Sequence, residues 1–339
     1  MTEDSAVGPV KPTISILLPT YNGARYLPEQ LNSILQQTWR DFELLVVDDG
    51  STDSSEAILA EYAERDERVR LVPSEGNRGQ KARLAELLGL ARGEWIAIAD
   101  QDDIWALDKT QRLVRSAGTT SLAFGRSELI DELGERLNRS LLDVLNATRR
   151  RGDRLSLLFR PQVSGHAMIV RREVLTADLF DSEAPFDWLA SLMAEFSQGL
   201  VYDDKAVVFH RMHSSNSHNV NVLVRFNLLR LRPHHLRELI TLVHRRRRGL
   251  RAGLQHLSTS TLIPAESRVR FQRLAQLCET AWFTRGAKLA SGRLLHSILD
   301  ILEPMKGSDD DWRTVVDHVT LLTHGLLHPK ILPRLRRVL

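Results

Sequence analysis

Cysteine is close to absent. Cys278 stands alone among 339 residues, so no internal disulfide framework can form, and a reducing compartment is the default. Long apolar runs are missing as well, since none approaches the roughly 20 residues that span a bilayer. The opening "MTEDSAVGPVKP" is acidic, small and proline-flanked, without the basic region and apolar core of a signal peptide. We therefore expect a cytoplasmic protein, or one held peripherally on the cytosolic face of the inner membrane. Internal repeats and low-complexity tracts are also lacking, which excludes repeat arrays and compositionally biased chains.

What is present is ordinary globular composition, 42% hydrophobic and 26% charged, in a chain long enough for one large domain and a smaller one. The net charge of +3 is unevenly spread. Between Val224 and Gly253 lie Arg225, Arg230, Arg232, Arg237, Arg245, Arg246, Arg247, Arg248 and Arg251, opposed only by Glu238. Such asymmetry sets that part of the chain apart.

The first hundred residues alternate between two periods. "ISILLP" (14–19), "FELLVV" (42–47), "VRLV" (69–72) and "WIAIA" (95–99) read as buried strands. Between them, "ARYLPEQLNSILQQ", "DDGSTDSSEAILAEYA" and "NRGQKARLAELLGLA" carry apolar residues at helical spacing, with Ser54 or Ser55 available as a cap. Strand–helix alternation predicts an α/β fold with right-handed crossovers and a mostly parallel open sheet flanked by helices. Continuous rather than alternating apolar strands agree, because both faces are covered. Ligands of such sheets bind beyond the carboxyl ends of the strands. "PTYN", "DDGSTD" and "DQDD" all fall at that edge.

Further on, "SLAFGRSELIDELGER" predicts a hairpin and "VSGHAMIVRREVL" a strand entering a helix. "FDWLASLMAEFSQG" predicts a helix closed by Gly199, and "LVYDDKAVVFHR" a last strand pair. From about 219 onward Leu- and Arg-rich helices take over, with "LSTSTLIPAES" (257–267) as a connector. A last helix starts at Ser308 and stops at Gly325. We divide the chain into a tail (1–11), an α/β domain (12–218) and a helical region (219–339).

"IAIADQDDIW" sets Asp100, Asp102 and Asp103 directly after an apolar run. Hard divalent cations such as Mg2+ bind one or two carboxylates together with phosphate oxygens and water. Side chains two apart in an extended segment point the same way, so Asp100 and Asp102 can face one ligand while Gln101 faces away. A solvated loop, or Asp103 capping the following helix, would account for the same residues.

The order and spacing of "ISILLPTYNGARYLPEQLNSILQQTWRDFELLVVDDGSTDSS", "NRG" and "GEWIAIADQDDIW" resemble the family 2 glycosyltransferases of the GT-A fold, over roughly residues 12 to 220. "DQDDIW", with Lys109 close behind, is similar to the branch often labelled rhamnosyltransferase-like. The resemblance implies that Pro19, Thr20 and Tyr21 line the base and ribose of a nucleotide-sugar. It implies that Asp49 accepts the ring N–H of uracil or thymine, that Arg78 contacts the nucleotide or its phosphates, and that Asp100 holds the ribose or a metal-bound water. Asp102 would bind Mg2+ or Mn2+ directly, Asp103 would ligate or support, and His213 in "FHRMHSSN" would be a third metal or diphosphate contact beside Arg211. Against these stand plainer roles: Asp48 or Asp49 ordering the turn, Arg78 solvated, His213 structural. His210 and His218 receive no role.

Glycosyl transfer needs a base for the acceptor hydroxyl. The resemblance implies Asp187 in "PFDWL" as that base, although an Asp there also suits a helix N-cap. A base opposite the leaving diphosphate implies direct displacement with inversion. In "RPQVSGHAM", Gln162 and His166 depart from the residues usual in relatives; both, with Trp188, are expected on the acceptor side. The implied reaction moves a sugar, such as rhamnose, from a UDP- or dTDP-carrier to a glycan or lipid-linked glycan in bacterial surface polysaccharide synthesis.

The basic stretch 224–253 suits an amphipathic surface on anionic lipid, which matches a lipid-linked acceptor. A helical hairpin with packed leucines, or a subunit interface, suits it equally. Nucleic-acid binding fits poorly, because aromatics suited to base stacking are sparse there. Two alternative functions remain: a sugar-nucleotide nucleotidyltransferase, disfavoured because "PTYNGARYL" has one glycine where a phosphate loop needs several, and a non-catalytic basic scaffold binding membrane or nucleic acid.

Overall fold

Strand β1 (Ile14–Thr20) is buried along its whole length, and β2 (Phe42–Asp48) along all but its last residue. That burial is why their sequences run apolar without alternation. In the computed structural model, the described residues are 12–144, 155–158, 162–182, 184–213 and 248–282. The chain divides into two compact units. The first takes in Met1–Leu141, Ser164–Asp181 and Leu200–His213; the second takes in Leu142–Val163, Ser182–Gly199 and Ser214–Leu339.

The first unit is built on one sheet. Its strands are β1, β2, β3 (Val69–Leu71), β4 (Trp95–Ile98), β5 (Ile104–Trp105), β6 (Leu122–Ile130), β7 (Arg136–Ser140), β8 (Met168–Arg171) and β9 (Leu200–Arg211). The order is β3-β2-β1-β4-β8-β6-β9-β5, with β7 paired to β6. Pairs β1–β2, β2–β3, β1–β4 and β6–β9 are parallel. Pairs β4–β8, β5–β9, β6–β7 and β6–β8 are antiparallel, so the parallel part is the β3-β2-β1-β4 half. The chain runs outward from β1 to β3, then returns to lay β4 on the other side of β1. The crevice between the carboxyl ends of β1 and β4 is thus the topological switch point, where open α/β sheets bind ligands.

Crossover helices α1 (Leu27–Leu35), α2 (Ser55–Arg65) and α3 (Gln80–Leu90) join these strands, and α4 (Lys109–Ala117) follows the acid loop. On α1, Leu27, Leu31 and Ile34 recur at helical spacing and are fully buried, each contributing about 1.5–3 kcal/mol. Short α5 (Leu141–Val144) and α6 (Ala177–Asp181) complete the helices up to residue 181. The expected hairpin is β6–β7. The strand at 168–171 enters a 3-10 turn, Arg172–Val174, rather than an α-helix. The expected last strand pair is instead a single strand, β9, which stays in the sheet through shifts of register opposite Gly125 and Arg126.

Within the second unit, α7 (Phe186–Phe196) ends at Gly199, whose φ of 92° suits a residue without Cβ and whose N–H returns to Ala194 O at 2.7 Å. Helices α8 (248–259) and α9 (Ala265–Trp282) are separated by a short turn, so the connector expected at 257–267 shrinks to a few residues. Gly249 lies against Trp188 and Gly253 against Leu189 and Leu192, while Leu250, Leu254 and Leu257 are buried. Phe196 meets Phe271 edge to face at 4.9 Å between centroids. The leucines and glycines of 249–257 therefore pack inward. The rest of the basic stretch, 224–247, lies outside the described residues, as do His218 and the helix expected from Ser308 to Gly325. Among the described residues no helix is long and apolar enough to cross a membrane.

Candidate active site at the switch point

The loop after β1 is tied to the loop after β2. Thr20 Oγ1 donates to Asp48 Oδ1 at 2.9 Å, and Asp48 also accepts the N–H groups of Gly50 (3.1 Å) and Ser51 (2.7 Å). Asp48 thus orders this turn. Pro19 and Thr20 are buried in β1, whereas Tyr21 stands 48% exposed at the mouth.

Asp49 reaches elsewhere. Its carboxylate accepts the N–H of Arg78 (2.8 Å), the N–H of Gly79 (2.8 Å) and Nε of Arg83 (2.7 Å). Arg83 is fully buried and donates further to the carbonyls of Glu75 (3.1 Å) and Gly76 (2.6 Å) and to Glu86 (2.8 Å). Burial opposes ionisation of Asp49, but the bonds from Arg78, Arg83 and Gly79 prevail and hold it below the usual carboxylate range. The Arg78 side chain is exposed and lies 3.5 Å from Glu86. Arg83 was not singled out from sequence. Its only signal was a cation next to the inward Leu84 and three residues before Glu86.

The acid loop is gripped from below by α1. Gln30 Nε2 donates to Asp100 O (2.8 Å), Ser33 Oγ accepts Trp105 N–H (3.0 Å), and Gln37 binds Ala106 O (2.7 Å) and Thr110 N–H (3.0 Å). Gln30 and Ser33 lie on one face of α1 and Gln37 just beyond its end, and together they satisfy backbone groups of the loop. Lys109, buried, donates to His166 O at 2.5 Å and sits 3.2 Å from the Trp105 ring centroid.

Three carboxylates crowd this loop. Asp103 is fully buried; its Oδ1 takes His210 Nδ1 (2.8 Å) and Arg211 N–H (3.2 Å), while Oδ2 has no hydrogen-bond partner. Asp100 Oδ2 lies 3.2 Å from His166 Nδ1, and His166 Nε2 lies 2.9 Å from Ser127 Oγ. The rings of His166 and His210 stack at 4.6 Å. Asp102 Oδ2 meets His213 Nε2 at 2.7 Å, and the buried Arg211 donates to Asp102 O (3.0 Å) and Glu29 (2.5 Å). Sequence expectation joined Asp102 with His213, and they are paired. His210, given no role, sits among the acids; alternating strand residues that read as sheet face gave no sign of it.

Burial, then the charges of Asp103 and Asp100, push Asp102 above the usual carboxylate range. Burial acts against the His210 cation, yet the charge and hydrogen bond of Asp103 raise it to about 9. Desolvation also opposes Asp100, but His166, His210 and Lys109 hold it low. Burial drives Lys109 well below the ordinary lysine value, with Asp103 and Asp100 partly offsetting. Three carboxylates and the cationic His210 and Arg211 thus crowd one loop. Ligand atoms of Asp100, Asp103, His166 and His210 lie within 4.8 Å of one another, and the partnerless Asp103 Oδ2 is among the loop's oxygens. This donor set fits a divalent cation.

In the second unit, Asp187 lies in the first turn of α7, one position inside the helix; Pro185 takes the N-cap position, so Asp187 is not the cap. Its Oδ1 accepts Trp188 N–H at 2.8 Å. Trp188 is buried and donates Nε1–H to Leu157 O at 2.5 Å, and Gln162 is buried as well.

Residues 15–178 match the family described as Glycosyl transferase family 2. An uncharacterized glycosyltransferase of Haemophilus influenzae is 31% identical over 207 residues, covering 59% of this chain and 80% of that protein. For several other curated relatives the match spans about half their length, 44% to 47%. Among solved structures, S. aureus TarS 1–349 in complex with UDP-GlcNAc superposes with a TM-score of 0.51 at 19% identity, covering 93% of this chain and 91% of that one. A mannosyltransferase, PcManGT from Pyrobaculum calidifontis in complex with GDP-Man and Mn2+, gives 0.51 at 20% identity, covering 94% and 88%. At these identities the structures show a common fold.

Proposed function

The chain belongs to glycosyl transferase family 2, and from that premise we propose that it is an inverting, metal-dependent glycosyltransferase using a UDP- or dTDP-sugar. The acceptor is a hydroxyl of a glycan or lipid-linked glycan of a bacterial surface polysaccharide, reached on the cytosolic side. Rhamnose is the sugar suggested by the "DQDDIW" motif. The observation that carries the reading is the acid loop at the switch point, where Asp100, Asp102 and Asp103 crowd together with His166, His210 and His213 around them.

The nucleotide lies across the loops after β1 and β2, with Tyr21 exposed to cover it. A carboxylate has about four lone-pair sites, and Asp49 uses three, two on Oδ1 and one on Oδ2. The remaining Oδ2 site accepts a ring N–H, which selects uracil or thymine over cytosine. Held ionised by Arg83 and two backbone N–H groups, Asp49 cannot serve as a donor, and this supports that selection.

Asp102 and His213 would hold Mg2+ or Mn2+, with Asp100 and Asp103 as neighbouring oxygen donors. When bound, the cation neutralises charge developing on the departing diphosphate. Asp187 takes the proton of the acceptor hydroxyl while that oxygen bonds to the anomeric carbon and the bond to the diphosphate breaks. The product is inverted, and the nucleoside diphosphate leaves. Gln162, His166 and Trp188 are assigned to the acceptor side.

Turnover across a donor panel tests this, with Asp187→Asn and Asp102→Ala as controls. One UDP- or dTDP-sugar should be consumed with Mn2+, and both variants should be inactive while still folded. Turnover by Asp187→Asn at the wild-type rate would remove that residue from the chemistry.

A further inference from the structure

Gln101 separates the two flanking acids, Asp100 and Asp102, and was expected to face away from the ligand. Its side chain instead crosses the switch point. Tyr21 N–H donates to Gln101 Oε1 at 2.8 Å, and Gln101 Nε2 donates to Tyr21 O at 3.0 Å. The carboxamide thus pairs with the Tyr21 backbone as a neighbouring strand residue would. Only a primary amide presents donor and acceptor in this way, and Asn is one methylene shorter.

The space is shaped for it. A Cβ at Gly23 would lie 2.4 Å from Gln101 Oε1, and Gly23 has no positive φ to explain its choice. On its other side the loop of Tyr21 is locked to the β2 loop. Asn22 N–H donates to Ser51 Oγ (2.8 Å), Asn22 Oδ1 accepts Thr52 N–H (2.8 Å), and Gly23 N–H donates to Ser55 Oγ (2.9 Å). A second tie leads from the turn held by Asp49 to the acids, since Gln80 Nε2 donates to Asp100 Oδ1 at 3.2 Å. Tyr21 is therefore a shared wall, held by the acid loop on one side and the base-side loops on the other.

We infer, on the reading proposed above, that Gln101 is a positioning residue that couples cation binding at the acid loop to nucleotide binding at the Tyr21 loop. A cation that orders Asp100 and Asp102 also fixes the residue between them, and through its two bonds sets the Tyr21 peptide against which the nucleotide rests. The coupling is reciprocal, because it is a free energy between two sites.

Calorimetric titration of the full chain with UDP, with and without Mn2+, tests this alongside Mn2+ binding alone. Two variants serve: Gln101→Met, of similar length without the paired amide, and Gly23→Ala, which displaces the carboxamide and leaves every acid in place. In the wild type, Mn2+ should tighten UDP binding by the ~5–150-fold typical of coupled sites. In both variants that factor should fall several-fold, to the part that direct contact between the cation and the diphosphate supplies, while metal-free UDP affinity and Mn2+ affinity stay near wild type. Retention of the wild-type factor, or equal weakening with and without Mn2+, overturns the inference. If Gln101→Met does not fold, Gly23→Ala decides it alone. A wild type that binds no UDP even with Mn2+ would bring down the proposed function and the inference together; coupling in the wild type that survives in the variants would bring down the inference only.

Discussion

Asp49 directly follows β2 and Asp102 lies in the loop after β4, at the same sheet edge, yet their surroundings treat charge in opposite ways. Asp49 is matched by a buried guanidinium and two backbone N–H groups, and its carboxyl is held low. Asp102 is half-buried beside two more carboxylates and bonded to His213, and its carboxyl is pushed high. The first is a finished ion pair that shapes the turn at 76–79. The second sits among like charges that raise its carboxyl.

Breaking the finished pair should cost the most. Arg83→Leu leaves Asp49 buried without its cation and frees the carbonyls of Glu75 and Gly76, so we expect a loss of about 3–5 kcal/mol in denaturant unfolding. Asp102→Asn should do the reverse. It relieves repulsion from Asp100 and Asp103, so unfolding stability should hold or rise, while metal-dependent turnover falls about a hundredfold, some 2.7 kcal/mol of barrier. Equal loss of stability in both variants would erase the distinction.

A smaller effect sharpens the comparison at a second finished site. Buried Glu43 accepts Ser15 Oγ (2.7 Å), Arg92 N–H (2.8 Å) and Arg70 (3.0 Å). Burial opposes its ionisation, but the bonds from Ser15 and Arg92 prevail and depress its pKa. A depressed carboxylate contributes stability above its unfolded value, about 4.3, and loses it as pH falls through the folded value. Glu43→Gln should therefore lower stability at pH 7 by about 1–2 kcal/mol, because Arg70 and Arg92 are half exposed and screened. The difference from wild type should shrink in thermal unfolding below pH 4. A difference that stays constant with pH would show that shape rather than charge holds Glu43.

The three acids of the loop after β4 were the most legible part of the site, since three Asp after an apolar strand are visible as letters. The first four strands and their helices were legible for the same reason: burial on both faces leaves continuous apolar runs. What answers the charges was harder to see. Arg83 lies inside a helix whose other inward residues are leucines, and Gln30, Ser33 and Gln37 look like ordinary polar residues in and just after a helix until the loop they satisfy is known. Strand β9 read as two pieces because Asp203, Asp204 and Lys205 interrupt its apolar residues, although the backbone continues beside β6 through a shift of register. Gln101 was read from extended-chain alternation alone, which says which way a side chain points and nothing of the partner across the crevice.

A crystal of the chain soaked with Mn2+ and UDP, with anomalous scattering used to find the metal, decides whether the acid loop is a cation site. We expect a manganese peak beside Asp102 and His213, touching the diphosphate, and the uracil ring N–H on Asp49 Oδ2. No peak at the acid loop, or a base lodged away from Asp49, would contradict it.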